Sequence, residues 1–132
     1  MKHTFSIFLI VISMNLYGQA LQDSTTTSEV NESNNEGWAY QLYPTQNMYT
    51  FLKLNTRNGR IWQIQYSLED NRFESFLNII PLVSEEDESN GRFELYPTDN
   101  IYTFILLDRI SGDTYQVQWS QEYSNRLVIP IN

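Results

Sequence analysis

From residue 38 onward, apolar and polar positions alternate in short runs broken by Gly, Pro, Asn and Asp. Trp62, Ile64 and Tyr66 point to one side of an extended chain and Gln63 and Gln65 to the other; Tyr115, Val117 and Trp119 do the same against Gln116 and Gln118. Period two with β-branched and aromatic side chains predicts a strand with one apolar face. Ahead of each such run, Tyr49 to Leu54 and Tyr102 to Leu107 are apolar on both sides, as expected of a more central strand. Shorter strands are predicted at 40–43 and 93–96. Fourth strands follow at 72–83, broken near Asn78, and at 126–131, with Ile80-Pro81-Leu82 and Ile129-Pro130-Ile131 read as equivalent.

The breaks carry their own chemistry. Asn55 and Asp108 open two hairpin loops in which a short side-chain oxygen accepts from turn N–H groups, and Gly59 and Gly112 close them at a position needing positive φ. Pro44 and Pro97, each starting a Pro-Thr-X-Asn turn, have no N–H to donate and end the first strand of each set.

These correspondences come from one duplication. Residues 42–67 recur in register as 95–120, offset by 53 positions with 13 of 26 residues identical. Each copy is a supersecondary piece that hides its apolar face against its neighbour. The expectation is an all-β fold: two tandem four-stranded antiparallel repeats with pseudo-twofold symmetry, packed as a sandwich or a small barrel. Residues 38–132 form a single β domain made of repeats 38–83 and 92–132, because a half-size unit would struggle to build its own core. The acidic linker 84–91 joins them as a solvated segment. Its Glu85, Glu86, Asp87 and Glu88 lack the spacing around a turn that calcium requires.

Composition adds bounds to this picture. Lys2, the apolar run 5–14 and the small residues Gly18 and Ala20 lay out a secretory signal over 1–20, followed by a Ser-, Thr-, Asn- and Glu-rich disordered leader over 21–37. The apolar run is too short to span a bilayer, so no membrane insertion is expected after signal removal, and the product is expected to be secreted or periplasmic. Without its signal the chain holds seven basic and sixteen acidic residues, a net charge of −9, which disfavours nucleic acid. With no cysteine, no disulfide framework is available.

The one histidine, His3, lies in the signal, so the processed chain has neither His nor Cys as general base or strong nucleophile. No metal, no cofactor and no enzyme activity is expected. Glu94, Asp99, Asp108 and Asp113 leave open a carboxylate-based hydrolase, although Asp108 is better read as a turn cap. Aromatic content is the other distinctive feature. Trp38, Tyr43, Tyr49, Tyr96 and Tyr102 are candidate anchors on an exposed sheet face. If Trp62, Ile64 and Tyr66 face the core, Gln63 and Gln65 with Gln116 and Gln118 form an outward polar ladder able to offer amides to a ligand.

The doubled pattern LYPTxNxYxFxxLxxxxGxxxQxQxS resembles that of a group of small secreted proteins from Gram-negative bacteria. The resemblance extends over nearly all of 38–132, implies an exported two-repeat β protein, and carries no catalytic residues across. The hairpin from Leu54 through Gly59 to Trp62 is in addition similar to the LDxxxGxxxW hairpin of quinoprotein-type β-propeller blades, with Tyr115 in place of Trp in the second copy. Two blades fall short of the usual four. That likeness reads as local turn chemistry, the alternative being that several chains complete a ring. The functional expectation is an exported non-catalytic binding module for a protein, peptide or glycan. The alternatives are an extracytoplasmic hydrolase and a structural subunit of an envelope oligomer.

Overall fold

Two Pro-Thr-X-Asn turns and two Gly-closed hairpins, joined to three further connections, organise eight strands into two sheets. A computed structural model describes residues 37–132; the expected signal (1–20) and nearly all of the expected leader (21–37) lie outside the described residues. The first sheet runs in the order β1 (Tyr40–Pro44), β2 (Thr50–Asn55), β3 (Ile61–Gln65) and β4 (Phe73–Asn78). The second repeats it with β5 (Phe93–Pro97), β6 (Thr103–Asp108), β7 (Thr114–Gln118) and β8 (Leu127–Pro130). All neighbours are antiparallel. The fold is thus all-β with two four-stranded repeats, packed like a sandwich and not closed into a barrel. The strands apolar on both faces, β2 and β6, are interior, as their sequences require.

The recurring Pro-Thr-X-Asn turn is a small hydrogen-bond device. Thr45 Oγ1 donates to the Thr50 carbonyl at 2.8 Å and accepts from Asn47 N–H, while Asn47 Oδ1 accepts from Tyr49 N–H at 2.9 Å. Thr98, Asn100 and Tyr102 reproduce these bonds in the second copy. The hairpins do likewise: Asn55 Oδ1 accepts from Arg57 N–H, Asp108 Oδ1 accepts from Ile110 N–H, and Gly59 and Gly112 take φ of 78° and 83°. Short polar side chains here replace ladder bonds that a tight turn cannot make.

The fourth strands depart from expectation. Pairing aligns Val128 and Pro130 of β8 with Val117 and Tyr115, whereas Glu74 and Phe76 of β4 occupy the matching places beside Ile64 and Trp62, with a bulge beyond. Ile80-Pro81-Leu82 is therefore not the counterpart of Ile129-Pro130-Ile131. It leaves the sheet after Asn78 and turns back over the first repeat's own hairpin, where Leu82 N–H donates to the Asn58 carbonyl and Leu82 packs over Gly59. The linker behind it contains a 3-10 turn at Glu85–Asp87, and Glu88 is held by Asn58 Nδ2 at 2.8 Å, so it is anchored as well as solvated.

The core lies between the sheets. Leu52, Leu54 and Ile61 of the first meet Phe93, Leu95, Phe104, Leu106, Val117 and Trp119 of the second. These are not equivalent positions. Phe93 and Leu95 are 1% and 3% exposed, while their counterparts Tyr40 and Leu42 are both 56% exposed. The first sheet buries the side that carries Leu52, Leu54 and Gln63; the second buries the opposite side of the same repeat. The expected twofold pairing would bury one common face twice, so the sheets are instead stacked front to back. Across this seam Gln63 Oε1 accepts from Ser120 N–H at 3.3 Å, and Arg126 Nη1 donates to Ser75 Oγ at 2.8 Å.

Candidate functional site

Front-to-back stacking leaves each sheet with one outer face. On the first sheet, the register sets Leu42, Lys53, Trp62 and Phe76 in a single row across all four strands, with Pro44, Phe51, Ile64 and Glu74 in the next. Leu42, Phe51, Trp62 and Ile64 in these rows match Leu95, Phe104, Tyr115 and Val117 of the second sheet's core side, and Lys53 stands where Leu106 is buried.

The row is ordered by ring packing and charge. Trp62 lies 5.2 Å from Phe76 and 6.1 Å from Tyr40, ring centroid to ring centroid, in tilted arrangements. The Lys53 ammonium sits 4.7 Å from the Trp62 centroid and hydrogen-bonds to Glu74, so its stem covers apolar surface while its charge is paired. Tyr66 extends the patch, touching both Phe51 and Tyr49. Tyr40, Leu42, Tyr66 and Phe76 are exposed. Rigid, half-covered aromatics beside one neutralised ion pair suit recognition of another apolar surface.

The candidate anchors read from sequence fall in several places. Trp38 is exposed at the start of the domain, where its carbonyl accepts from Thr56 Oγ1 at 2.7 Å. Tyr43 is buried in the seam, where burial pushes its hydroxyl pKa up and the Leu95 backbone offsets part of the rise. Tyr49 and Tyr102 flank the Pro-Thr-X-Asn turns, stacked on Tyr66 and on the buried Trp119 respectively. Gln63 is fully buried and Gln65 half-buried, both on the inner side of the first sheet, because there it is Trp62, Ile64 and Tyr66 that turn outward. In the second sheet the ladder faces outward as expected: Gln116 lies in one row with Tyr96 and Ile105, and Gln118 donates to the Asn125 carbonyl. The four glutamines therefore share no surface.

Tyr40, Leu42, Lys53, Glu74 and Phe76 are absent from the sequence-based site. Their signal lies in the repeat itself, since a lysine in an otherwise apolar repeat position marks the copy whose face stays open.

Asp108 is fully engaged elsewhere. Arg92 Nε and Nη2 donate to its two oxygens at 3.0 and 2.9 Å, and Ile110 and Ser111 N–H groups add two bonds. Burial pushes its carboxyl up, but Arg92 and these N–H groups outweigh that and hold it below the ordinary range.

No protein-family model, curated protein or solved structure matches the chain. The outer face of the first sheet must be read on its chemistry alone.

Proposed function

We propose that the chain is an exported, non-catalytic interaction module that docks a protein on the outer face of its first sheet. The observation that carries this is the outward row Leu42, Lys53, Trp62 and Phe76, exposed at both ends, whose first three members stand where Leu95, Leu106 and Tyr115 pack in the core. Aromatic and aliphatic side chains mix in it as they do at the centre of protein interfaces, and ring stacking fixes them before a partner arrives. The signal-like layout of residues 1–20 supports action outside the cytoplasm, and the acidic balance of the chain disfavours nucleic acid as partner. The hydrolase alternative draws no support from Asp108, whose oxygens serve Arg92 and the turn.

The test is affinity capture from the extracytoplasmic fraction with the unmodified chain and Trp62→Ala as parallel baits, both checked for an intact melting transition. A protein identified by mass spectrometry on the first bait and missing from the second supports the reading. Identical protein sets on both baits overturn it.

A further inference from the structure

The two sheets meet through non-equivalent faces, so each repeat carries both halves of one interface. Within the chain, the first repeat contributes one half and the second repeat the other; the two remaining halves are the outer faces. We propose that a second copy of this chain is the partner, its second sheet's outer face stacking on the first sheet's outer face and continuing the internal stacking head to tail. This rests on the reading that the first sheet docks a protein, and names that protein.

The match is position by position. On the outer face of the second sheet, Tyr96, Ile105 and Gln116 form a row, the counterpart of the row Tyr43, Leu52 and Gln63 that is buried in the seam. A glutamine in that row can be buried: Gln63 is 0% exposed, its Oε1 accepts from Ser120 N–H across the seam, and the seam holds together although its Nε2 has no hydrogen-bond partner there. On the first sheet, Leu42, Phe51, Trp62 and Ile64 stand where Leu95, Phe104, Tyr115 and Val117 pack in the core. Both outer faces thus carry side chains of the kind that already fit each other once.

Charge and space agree with this. The one basic residue on the first sheet's outer face is Lys53, paired with Glu74. Among the strands of the second sheet the charged residues are Glu94 and Asp108; Asp108 points inward, and Glu94 lies 3.9 Å from Arg109, so each outer face carries one acid beside one base. At Gly59 the space above the turn is filled by Leu82 and by Phe93 of the following repeat; at Gly112 nothing lies within 4 Å. Tyr40 of the second copy, the counterpart of Phe93, would fill that space. A contact of this heterologous kind repeats, giving a ring where the rotation closes and a filament where it does not.

The seam also supplies the probe. The Ser120 N–H bond to Gln63 Oε1 has as its intermolecular counterpart Ser67 of one copy against Gln116 of the next. The chain has no cysteine, so Ser67→Cys and Gln116→Cys each introduce a single thiol into the full chain. With a short bis-maleimide, a mixture of the two variants is expected to give a two-chain product, and neither variant alone. Light scattering of the unmodified chain should give a mass above one chain, falling to one chain for Leu42→Glu with its melting transition retained. No product from the mixture, or a product from one variant alone, overturns the head-to-tail contact. A one-chain mass for the unmodified protein at the cross-linking concentration overturns it as well. If that happens while Trp62-dependent capture of a different protein persists, the interaction-module reading stands and only the second copy fails.

Discussion

Lys53 and Leu106 occupy the same position of the repeat and lead opposite lives. Leu106 is wholly buried between the sheets, beside Leu95 and Tyr115 in its row. Lys53 lies on the open side of the first sheet, its ammonium over Trp62 and against Glu74. The surrounding residues hardly differ: Leu42 matches Leu95, Phe51 matches Phe104, and Ile64 matches Val117. Within the first three strands, Lys53 for Leu106 is the one apolar-to-charged difference between the face closed inside the chain and the face left outside it. The lesson is that a duplicated β unit need not pair its copies symmetrically, since a strand apolar on both sides leaves either face available for burial.

The strongest way to break this comparison is to exchange the two residues. Leu106→Lys places an ammonium in the seam with no carboxylate in the Glu74 position, where Val128 stands instead. Loss of a fully buried leucine alone costs about 2–5 kcal/mol, and an unpaired buried charge adds to it. Urea denaturation should show a loss of at least ~4 kcal/mol, or no folded state at all. A variant that unfolds within ~1 kcal/mol of the parent would mean that the seam is not the core.

Next in size is a second difference between equivalent places. The first repeat has the neutral residues Ala39 and Asn55 where the second has Arg92 and Asp108, a pair with side chains 11% and 4% exposed. Asp108→Ala leaves the half-buried Arg92 guanidinium with only the Asp87 carbonyl and removes the turn's acceptor, for an expected loss of about 2–3 kcal/mol. Asn55→Ala removes only the acceptor and should cost about 1 kcal/mol. Acid sharpens the contrast. Because the folded-state pKa of Asp108 is depressed, its contribution is complete above the ordinary aspartate value of about 3.9 and fades as the pH falls through the lower folded value. Asp108→Asn should therefore flatten the fall of stability below about pH 4. An unchanged acid limb in Asp108→Asn would remove the ion pair from the explanation.

Most of the architecture was legible in the chain. Strict alternation at Trp62 to Tyr66 and Tyr115 to Trp119, two-sided apolarity of β2 and β6, and the Asn/Asp and Gly turn devices located the first three strands of each sheet to within a residue or two. Local chemistry specified them, so no knowledge of packing was needed. Which face each copy buries was not legible, because both sides of β2 and β6 satisfy the same periodicity and only the stacking chooses between them. That is why Gln63 was expected outward and lies in the seam, while Gln116 faces outward as expected. The likeness of Ile80-Pro81-Leu82 to Ile129-Pro130-Ile131 misled for a related reason. Similar tripeptides can end a strand in one place and leave it in another, and only the pairing of Glu74 with Ile64 and of Val128 with Val117 tells them apart.

A smaller contrast separates the two turn glycines. Both need positive φ, so an alanine at either costs on the order of 1–2 kcal/mol for backbone strain. At Gly59 the new Cβ would also lie 2.7 Å from Leu82 Cδ1 and 3.4 Å from Phe93, whereas at Gly112 it meets open space. Because the terminal methyl of Leu82 can yield part of the way, the extra cost at Gly59 should be about 1 kcal/mol, at the low end for overpacking. Equal melting shifts for Gly59→Ala and Gly112→Ala would mean that Leu82 and Phe93 do not press on the first turn.

The reverse exchange, Lys53→Leu, should have the smallest effect on the folded chain and the most telling effect on its association. The Lys53 and Glu74 side chains are 26% and 45% exposed, so their ion pair is worth at most about 1 kcal/mol. The ammonium over Trp62 adds about 0.5–1 kcal/mol, and a leucine covering the same ring replaces much of that contact. Net stability should stay within ~1 kcal/mol of the parent. The substitution also makes the row from Leu42 through Trp62 to Phe76 apolar throughout, with a leucine on β2 as in the core row around Leu106, which it then matches through its first three strands. If the open face is held back from closure by this one charge, the variant should associate at lower concentration than the parent in sedimentation velocity, and Leu42→Glu added to it should abolish the gain. A Lys53→Leu chain no more associated than the parent would mean that the lysine does not separate the two faces, and the difference would then have to lie in the fourth strands, where Glu74 and Phe76 replace Val128 and Pro130.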